Sequence, residues 1–280
     1  MSEKVLTIGH SPDADDAFMF YALTHDRIHV PGIRFEHVLT DIETLNRRAM
    51  QKQPYKEPLL DVTAASLHAY PYLAERYQIL SCGASMGKGY GPIVVGREKR
   101  DLRNAAVAIP GEYTSAFLAL KMYLGDFKHR VIPFDRIIAA VKAGEVDAGL
   151  IIHEGQITYT DDGLTVLVDL GTWWLEKTGL PLPLGINLVR RSLDEGLKHT
   201  INQSIKDSIA YGFSHEDEAM TYAAKYSRGL DMERVKRFAL MYVNDYTLEP
   251  GKEGRNAVHE FVQQAARLGL VPDARVEFVE

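Results

Sequence analysis

The sequence predicts an α/β fold of two lobes with a ligand cleft between them, and the order of its elements is the main reason. β-prone runs alternate with helical runs through the first two-thirds of the chain, which is typical of mostly parallel sheets. Residues 98–185 form an excursion from that pattern before a helical tail begins. We therefore expect a larger lobe of residues 1–97 and 186–280 and a smaller lobe of residues 98–185.

The larger lobe is predicted from short apolar runs and from the helical periodicity of the tail. Apolar residues there recur at helical spacing, as in Ile201, Ile205 and Ile209. Pro12 and the acidic residues after it suit a helix start, because carboxylates there meet unpaired amides and the positive end of the dipole. The predicted strands are residues 5–9, 33–39, 59–63, 78–81, 93–95 and 186–189, and the predicted helices are residues 17–24, 42–50, 193–213, 216–225, 232–242 and 254–268.

The smaller lobe is predicted from the same alternation over a shorter stretch. A turn containing Gly111 leads from a strand into a helix, and Gly144 closes the helix that follows. The predicted strands are residues 105–109, 130–132, 148–153 and 164–170, and the predicted helices are residues 116–123 and 134–143.

The composition restricts the class of protein. A net charge of −6, with no run of Lys and Arg, gives no reason to expect nucleic acid. No apolar stretch reaches the ~18 residues of a membrane span. The single cysteine, Cys82, excludes an intramolecular disulfide and predicts no metal site. Because the amino terminus lacks the apolar core of a secretion signal, we expect a cytoplasmic protein that acts on a small molecule. The sequence makes no prediction of oligomeric state.

His153 is the leading candidate for a catalytic residue, because it ends the apolar run that begins at Ala148. In open α/β sheets, ligands bind just outside the carboxyl ends of the strands. A neutral imidazole has an unperturbed pKa near ~6.5 and is suited to accepting a proton around pH 7. The alternative is that His153 only ends its strand and bonds to backbone.

A run of small residues follows the strand predicted at residues 59–63. Ala64, Ala65 and Ser66 would let backbone amides at the strand end approach a ligand closely. The alternative, a tightly packed turn from strand to helix, is equally compatible with the sequence. These three residues are therefore candidate substrate contacts.

Two further strand ends carry polar residues at a helix start. Thr114 and Ser115 open a predicted helix, where unpaired amides bind anions and hydroxyls add donors. One of the pair would suffice as a helix cap, which is the alternative. Asp16 lies one turn into the first helix and is a further candidate that faces the ligand, whereas Asp13 and Asp15 suit capping or solvation equally well.

Five segments of the chain resemble 1,4-dihydroxy-6-naphthoate synthase, a family of the futalosine route to menaquinone. The resemblance covers nearly the whole chain, and the segment around His153 is its most specific part. The segments are SPDADDAFMFYAL at residues 11–23, DIETLN at residues 41–46, GEVDAGLIIHE at residues 144–154, WW at residues 173–174 and TGLPLPLG at residues 178–185.

The resemblance implies a periplasmic-binding-protein-like (type II) fold that works without a metal or organic cofactor. It implies a carbon–carbon lyase that splits cyclic dehypoxanthine futalosine into 1,4-dihydroxy-6-naphthoate and a ribose-derived fragment. In that family the histidine at the position of His153 is the proton acceptor, and the positions of residues 64–66, Thr114 and Ser115 contact substrate. Members of the family can carry Lys-Leu-Ser where this chain has Ala64, Ala65 and Ser66, so a lysine contact is not carried over, while backbone contacts are.

Two other functions compete with this interpretation. Chorismate dehydratase, of the same pathway, shares the segment around residues 178–181, but the segment from His153 to Gln156 fits the naphthoate synthase better. A non-catalytic small-molecule-binding protein would have the same two-lobed shape, since one fold hosts both tasks. The absence of an export signal and the histidine at the cleft favour the enzyme.

Overall fold

The computed structural model describes residues 3–227 and 229–280, and its strands form two sheets. The strands of the first sheet are β1 (Lys4–His10), β2 (Ile33–Leu39), β3 (Val62–Ser66), β4 (Tyr77–Ile79), β5 (Ser85–Gly87) and β11 (Leu182–Arg190). The strands of the second sheet are β6 (Ile93–Gly96), β7 (Val107–Ile109), β8 (His129–Val131), β9 (Ala148–Ile151) and β10 (Thr165–Asp169).

Helices cover these sheets and fill most of the carboxyl-terminal third of the chain. The helices are α1 (Ala14–Thr24), α2 (Ile42–Ala49), α3 (Ser115–Leu124), α4 (Ile137–Ala143), α5 (Gly155–Thr158), α6 (Leu170–Thr178), α7 (Glu195–Ser214), α8 (Glu216–Ala223), α9 (Met232–Tyr242), α10 (Asp245–Leu248) and α11 (Gly251–Arg267). Short 3₁₀ segments lie at Tyr70–Tyr72, Leu102–Asn104, Phe134–Arg136, Tyr159–Asp162 and Ala224–Tyr226. Within the described ranges, no helix is both long enough and apolar enough to span a membrane.

Both sheets are mixed, which corrects the expectation of mostly parallel sheets. The first has the order β2-β1-β3-β11-β4 with β5 also paired to β11, and the second has the order β10-β6-β9-β7-β8. β1 is parallel to β2 and β3, but β11 is antiparallel to β3, β4 and β5. β6 is likewise antiparallel to β9 and β10. β6 and β11 are the strands by which the chain enters the second sheet and returns to the first. The chain reaches each of them from the other lobe and not through a right-handed βαβ unit.

The chain crosses between the sheets at two places, and sheet membership moves the predicted lobe boundaries. It leaves the first sheet after β5 and returns with β11. Strand β6 was expected in the larger lobe but is hydrogen-bonded in the second sheet, and β11 begins before residue 186. We therefore propose a larger lobe of residues 3–87 and 182–280 and a smaller lobe of residues 93–169, with residues 88–92 and 170–181 as connections.

The helical tail packs on the first sheet as its periodicity predicts. Ile201, Ile205 and Ile209 of α7 are fully buried in one apolar cluster with Phe18 and Phe20 of α1. A second cluster runs through both lobes and includes Trp174, whose indole packs against Phe261 at 5.4 Å between ring centroids. The apolar core is therefore continuous between the two lobes.

Candidate active site

One cleft between the lobes receives every residue that the sequence predicts as a functional contact. It has a volume of about 730 Å³, including open solvent at its mouth. Residues of both lobes line it, with the first sheet contributing strand residues and the smaller lobe contributing helix starts and turns. The predicted residues on its wall are Asp16, Ala64, Ala65, Ser66, Thr114, Ser115 and His153.

The floor of the cleft is made by β3 and β11, and it is built mainly from small residues. Ala64 lies opposite Asn187 and Ser66 lies opposite Gly185 in the antiparallel ladder, so these four share one face of the sheet. This placement corrects the expectation that residues 64–66 follow a strand, because they are the last three residues of β3. The strand extends this far because β11 pairs with it as far as Ser66.

Ser66 is held in place by a buried asparagine of α2. The amide of Ser66 donates to Asn46 Oδ1 at 2.9 Å, and Asn46 Nδ2 donates to Ser66 Oγ at 3.1 Å. Asn46 Nδ2 also donates to the carbonyl of Tyr113 at 3.2 Å, across the cleft. The Ser66 amide is therefore used within the protein, and its hydroxyl is the atom that remains able to donate to a ligand.

The start of α3 supplies the opposite wall, and both of its hydroxyls are engaged. Thr114 Oγ accepts from the amide of Phe117 at 3.2 Å, which is a helix N-cap. Ser115 Oγ donates to the carbonyl of Leu184 at 2.6 Å and accepts from the amide of His68 at 3.2 Å. The capping alternative thus holds for Thr114, while Ser115 ties the helix start to the strand that returns to the larger lobe.

His153 stands on a turn and not on a strand, which corrects its predicted position. Strand β9 ends at Ile151, and His153 has a φ of 58°, a left-handed conformation that is uncommon for a residue with a side chain. Its Nδ1 lies 3.4 Å from Asp13 Oδ2, and its ring meets the Phe134 ring edge-on at 4.6 Å between centroids. The turn presents the imidazole to the cleft from the smaller lobe.

Acidic residues from the start of α1 surround the same end of the cleft. Burial raises the pKa of Asp16 to about 6, against the lowering effect of the Ser11 amide, which donates to Asp16 Oδ2 at 2.6 Å. Burial, together with the neighbouring charges of Asp16, Asp13 and Glu154, raises the pKa of Asp15 well above its usual range. Buried carboxyl groups this close together favour sharing of protons over full ionisation.

Several residues of the cleft were not singled out from the sequence. Asn187 is almost fully buried, its Nδ2 donates to the carbonyl of Gly83 at 3.1 Å, and its Oδ1 has no hydrogen-bond partner. A polar residue inside the apolar run at residues 186–189 is a signal that could have identified it. Gln156 Oε1 accepts from the hydroxyl of Tyr242 at 2.7 Å, and this contact between distant segments has no sequence signal.

The cleft carries polar groups but no constellation typical of a metal site. Among the described residues that line it, none is Lys or Arg. The described residues also include no group of three or more His, Cys, Asp or Glu side chains placed to hold a metal ion. A ligand with a negative charge would therefore have to be held by neutral donors, such as the amides of a helix start.

A protein-family model described as menaquinone biosynthesis matches residues 6–267. This chain belongs to that family. A 1,4-dihydroxy-6-naphthoate synthase of Thermus thermophilus is 41% identical over 278 residues, which cover 99% of this chain and 100% of the relative. A protein of the same name from Streptomyces coelicolor is 34% identical, over 97% of this chain and 96% of the relative. The resemblance found in the sequence is confirmed, and the relatives' names indicate an enzyme of menaquinone biosynthesis.

Solved structures show the same architecture. A crystal structure of a protein from Archaeoglobus fulgidus is 49% identical, with a TM-score of 0.90 over 95% of this chain and 98% of that chain. The alkanesulfonate-binding protein of Xanthomonas axonopodis pv. citri is 15% identical, with a TM-score of 0.67 over 98% of this chain and 96% of that chain. A likeness at that identity shows the fold alone, and the predicted two-lobed, periplasmic-binding-protein-like α/β fold is confirmed.

Proposed function

We propose that this chain is a carbon–carbon lyase that converts cyclic dehypoxanthine futalosine to 1,4-dihydroxy-6-naphthoate, with His153 as the proton acceptor. The observation that carries the proposal is the placement of His153 in a cleft that both lobes line, in a member of the menaquinone-biosynthesis family. The names of two relatives that match over nearly their whole length support the reaction. The cytoplasmic location expected from the sequence stays a prediction.

The proposed reaction needs one base and a site that holds the substrate beside it. His153 takes a proton from the cyclised substrate, the carbon–carbon bond to the ribose-derived part breaks, and the electrons of that bond enter the ring system. Formation of the aromatic naphthoate supplies much of the driving force. Neutral imidazole is the usual general base for such a step near pH 7, and a base of this kind typically contributes ~10²–10⁴-fold.

Different walls of the cleft bind different parts of the substrate. The start of α3 faces the anionic or hydroxylated end of the substrate, because the first amides of a helix and its dipole favour negative charge. Ser66 offers a hydroxyl from the larger lobe. Ala64 occupies the position where family members can carry lysine, so in this chain the anion is held by neutral donors.

Product analysis tests the proposal directly. Purified protein is incubated with cyclic dehypoxanthine futalosine and, in a separate reaction, with chorismate, and products are identified by mass. We expect 1,4-dihydroxy-6-naphthoate from the first and no dehydration of the second. His153→Asn serves as the inactive control. Turnover of chorismate alone would identify the dehydratase, and tight binding of either compound without product would identify a binding protein.

A further inference from the structure

We infer that Asp13 is the positioning residue for His153, reaching it from the opposite lobe, so that the base is complete only when the lobes are closed. This inference rests on the proposed role of His153. The two residues come from different lobes: Asp13 follows β1 in the larger lobe, and His153 follows β9 in the smaller lobe. Their side chains meet across the cleft, with 3.4 Å between Asp13 Oδ2 and His153 Nδ1.

Asp13 occupies a helix N-cap position but does not cap its helix. Its backbone is extended, as at other N-caps, yet its side chain accepts no hydrogen bond from the first turn of α1. Aspartates at the same position elsewhere do accept one, as Asp41 does from the amide of Thr44 and Asp194 from the amide of Leu197. The carboxylate of Asp13 is turned towards His153 instead, although capping is the ordinary use of aspartate there.

The contact determines which nitrogen of His153 faces the substrate. A neutral imidazole carries its proton on one nitrogen, and a carboxylate beside Nδ1 favours the tautomer protonated there. The lone pair is then on Nε2, which is the arrangement that a general base needs. The separation of 3.4 Å is longer than a hydrogen bond, and contacts of this kind tighten when substrate closes the site.

Other carboxyl groups near His153 are less suited to this role. Asp16 Oδ2 already accepts from the amide of Ser11 at 2.6 Å, and burial raises the pKa of this carboxyl. Asp15 has a raised pKa because of burial and its acidic neighbours. Asp13, in contrast, places its Oδ2 3.4 Å from the imidazole Nδ1.

The segment that carries His153 is also held against the larger lobe at two nearby points. Tyr242 donates to Gln156 Oε1 at 2.7 Å, and Arg234 forms an ion pair with Asp161 at 2.6 Å. Both partners in the larger lobe belong to α9. The Asp13–His153 contact is thus part of one seam between lobes, and opening of the seam would separate the carboxylate from the base.

Nitrogen-15 NMR of the histidine side chains, together with kinetics, tests the inference. The His153 resonances are identified by their absence in His153→Asn. We expect the wild type to hold neutral His153 mainly as the Nδ1-protonated tautomer, and Asp13→Ala to shift it towards the Nε2-protonated tautomer. We expect kcat to fall about 10²–10³-fold in Asp13→Ala, with KM changed less than about threefold. Asp13→Asn removes the charge with little change of shape and is used if the alanine variant unfolds.

Asp194→Ala is the matched control, since it removes an aspartate from an N-cap position that does cap its helix. It should change neither the tautomer nor kcat. An unchanged His153 tautomer in both Asp13 variants would overturn the inference, and so would a changed tautomer with a normal kcat. If the wild type forms no product from either candidate substrate, the proposed function fails, and the tautomer measurement alone still decides whether Asp13 holds His153.

Discussion

The left-handed backbone of His153 is a residue-scale feature with a cost. A residue with a side chain at positive φ is strained unless its surroundings hold it there, and such strain clusters at functional sites. Here β9 ends at Ile151, and the turn carries the imidazole into the cleft beside Asp13. Alternation along a strand predicts which face a residue occupies, but it does not predict where the strand stops. The sequence therefore predicted that His153 lies at the cleft, but its backbone geometry could be seen only in the fold.

Substituting His153 with Asn should abolish turnover and leave the fold intact. We expect kcat to fall by ~10²–10⁴, the usual loss for a general base, because asparagine cannot accept the proton. Substrate affinity should stay within a few-fold, as measured by equilibrium binding. The matched control is His199→Asn, an exposed histidine on α7. Near-normal turnover in His153→Asn would remove His153 from the mechanism.

Buried His68 should make folding stability depend on pH. Burial lowers its pKa to about 4, while its contact with the carbonyl of Thr114 at 3.2 Å acts to raise it. The folded protein thus holds His68 neutral, and the unfolded chain binds a proton below its ordinary pKa of about 6.5. The stability linked to His68 is therefore fully present above about pH 6.5 and is lost as the pH falls towards 4.

Urea unfolding of His68→Asn at pH 7 and pH 4 measures this effect. At about 1.36 kcal/mol per pKa unit, the wild type should lose up to about 3 kcal/mol more than the variant between these values. Comparison with the variant cancels the similar effects of buried His10 and His37 and the opposing effects of Asp15 and Asp16. Equal losses in the two proteins would show that His68 is protonated in the fold.

At the scale of elements, the helix start at Thr114 shows what local pattern predicts well. A strand, a glycine turn and paired hydroxyls predict a helix N-terminus, and α3 begins at Ser115 with Thr114 as its cap. The partners of Ser115, which are Leu184 and His68, come from elsewhere in the chain and have no local signal. Local signals can also be missed: α6 was not predicted as a helix, although its N-cap, Asp169, accepts from two amides of its first turn.

Thr114→Ala should weaken both folding and binding, because the cap holds the helix start in place. Loss of an N-cap costs about 0.5–2 kcal/mol, and loosened amides would raise KM for an anionic substrate. Urea unfolding and steady-state kinetics on one preparation give both quantities. Thr114→Ser keeps the hydroxyl and should resemble the wild type. A less stable alanine variant with unchanged KM would mean that Thr114 is only a cap.

At the scale of the whole molecule, the two-lobed plan followed from the order of elements, but the lobe edges did not. Strand β6 has the same β-prone composition as a strand of either sheet, and only its pairing with β9 and β10 assigns it. The antiparallel direction of β11 could not be predicted either, since strand composition does not encode parallel or antiparallel pairing. Convergence of four separate segments on one cleft was predictable because strand ends in α/β folds meet at one edge.

The lobes should open without ligand and close on it, which small-angle scattering can measure. In this structure they touch through Arg234 and Asp161 and through Tyr242 and Gln156, and Glu43 accepts from the amide of Tyr113 at 3.1 Å. Hinge closure around ligands is the usual motion of this architecture. We expect a smaller radius of gyration with saturating product than without it. Identical curves would count against closure.

The ion pair between Arg234 and Asp161 offers a way to change that equilibrium from outside the cleft. Arg234→Ala removes a contact that joins the two lobes, so affinity for product should fall about two- to fivefold, as expected for a solvent-exposed ion pair. Arg237→Ala, an exposed arginine on the same helix, is the control. Calorimetric titration with product at low and high salt measures the contribution of the ion pair. Because salt screens the ion pair, high salt should weaken binding by the wild type and by Arg237→Ala, while binding by Arg234→Ala should stay nearly unchanged. A salt dependence that is the same in all three proteins would show that this ion pair does not stabilise the closed form.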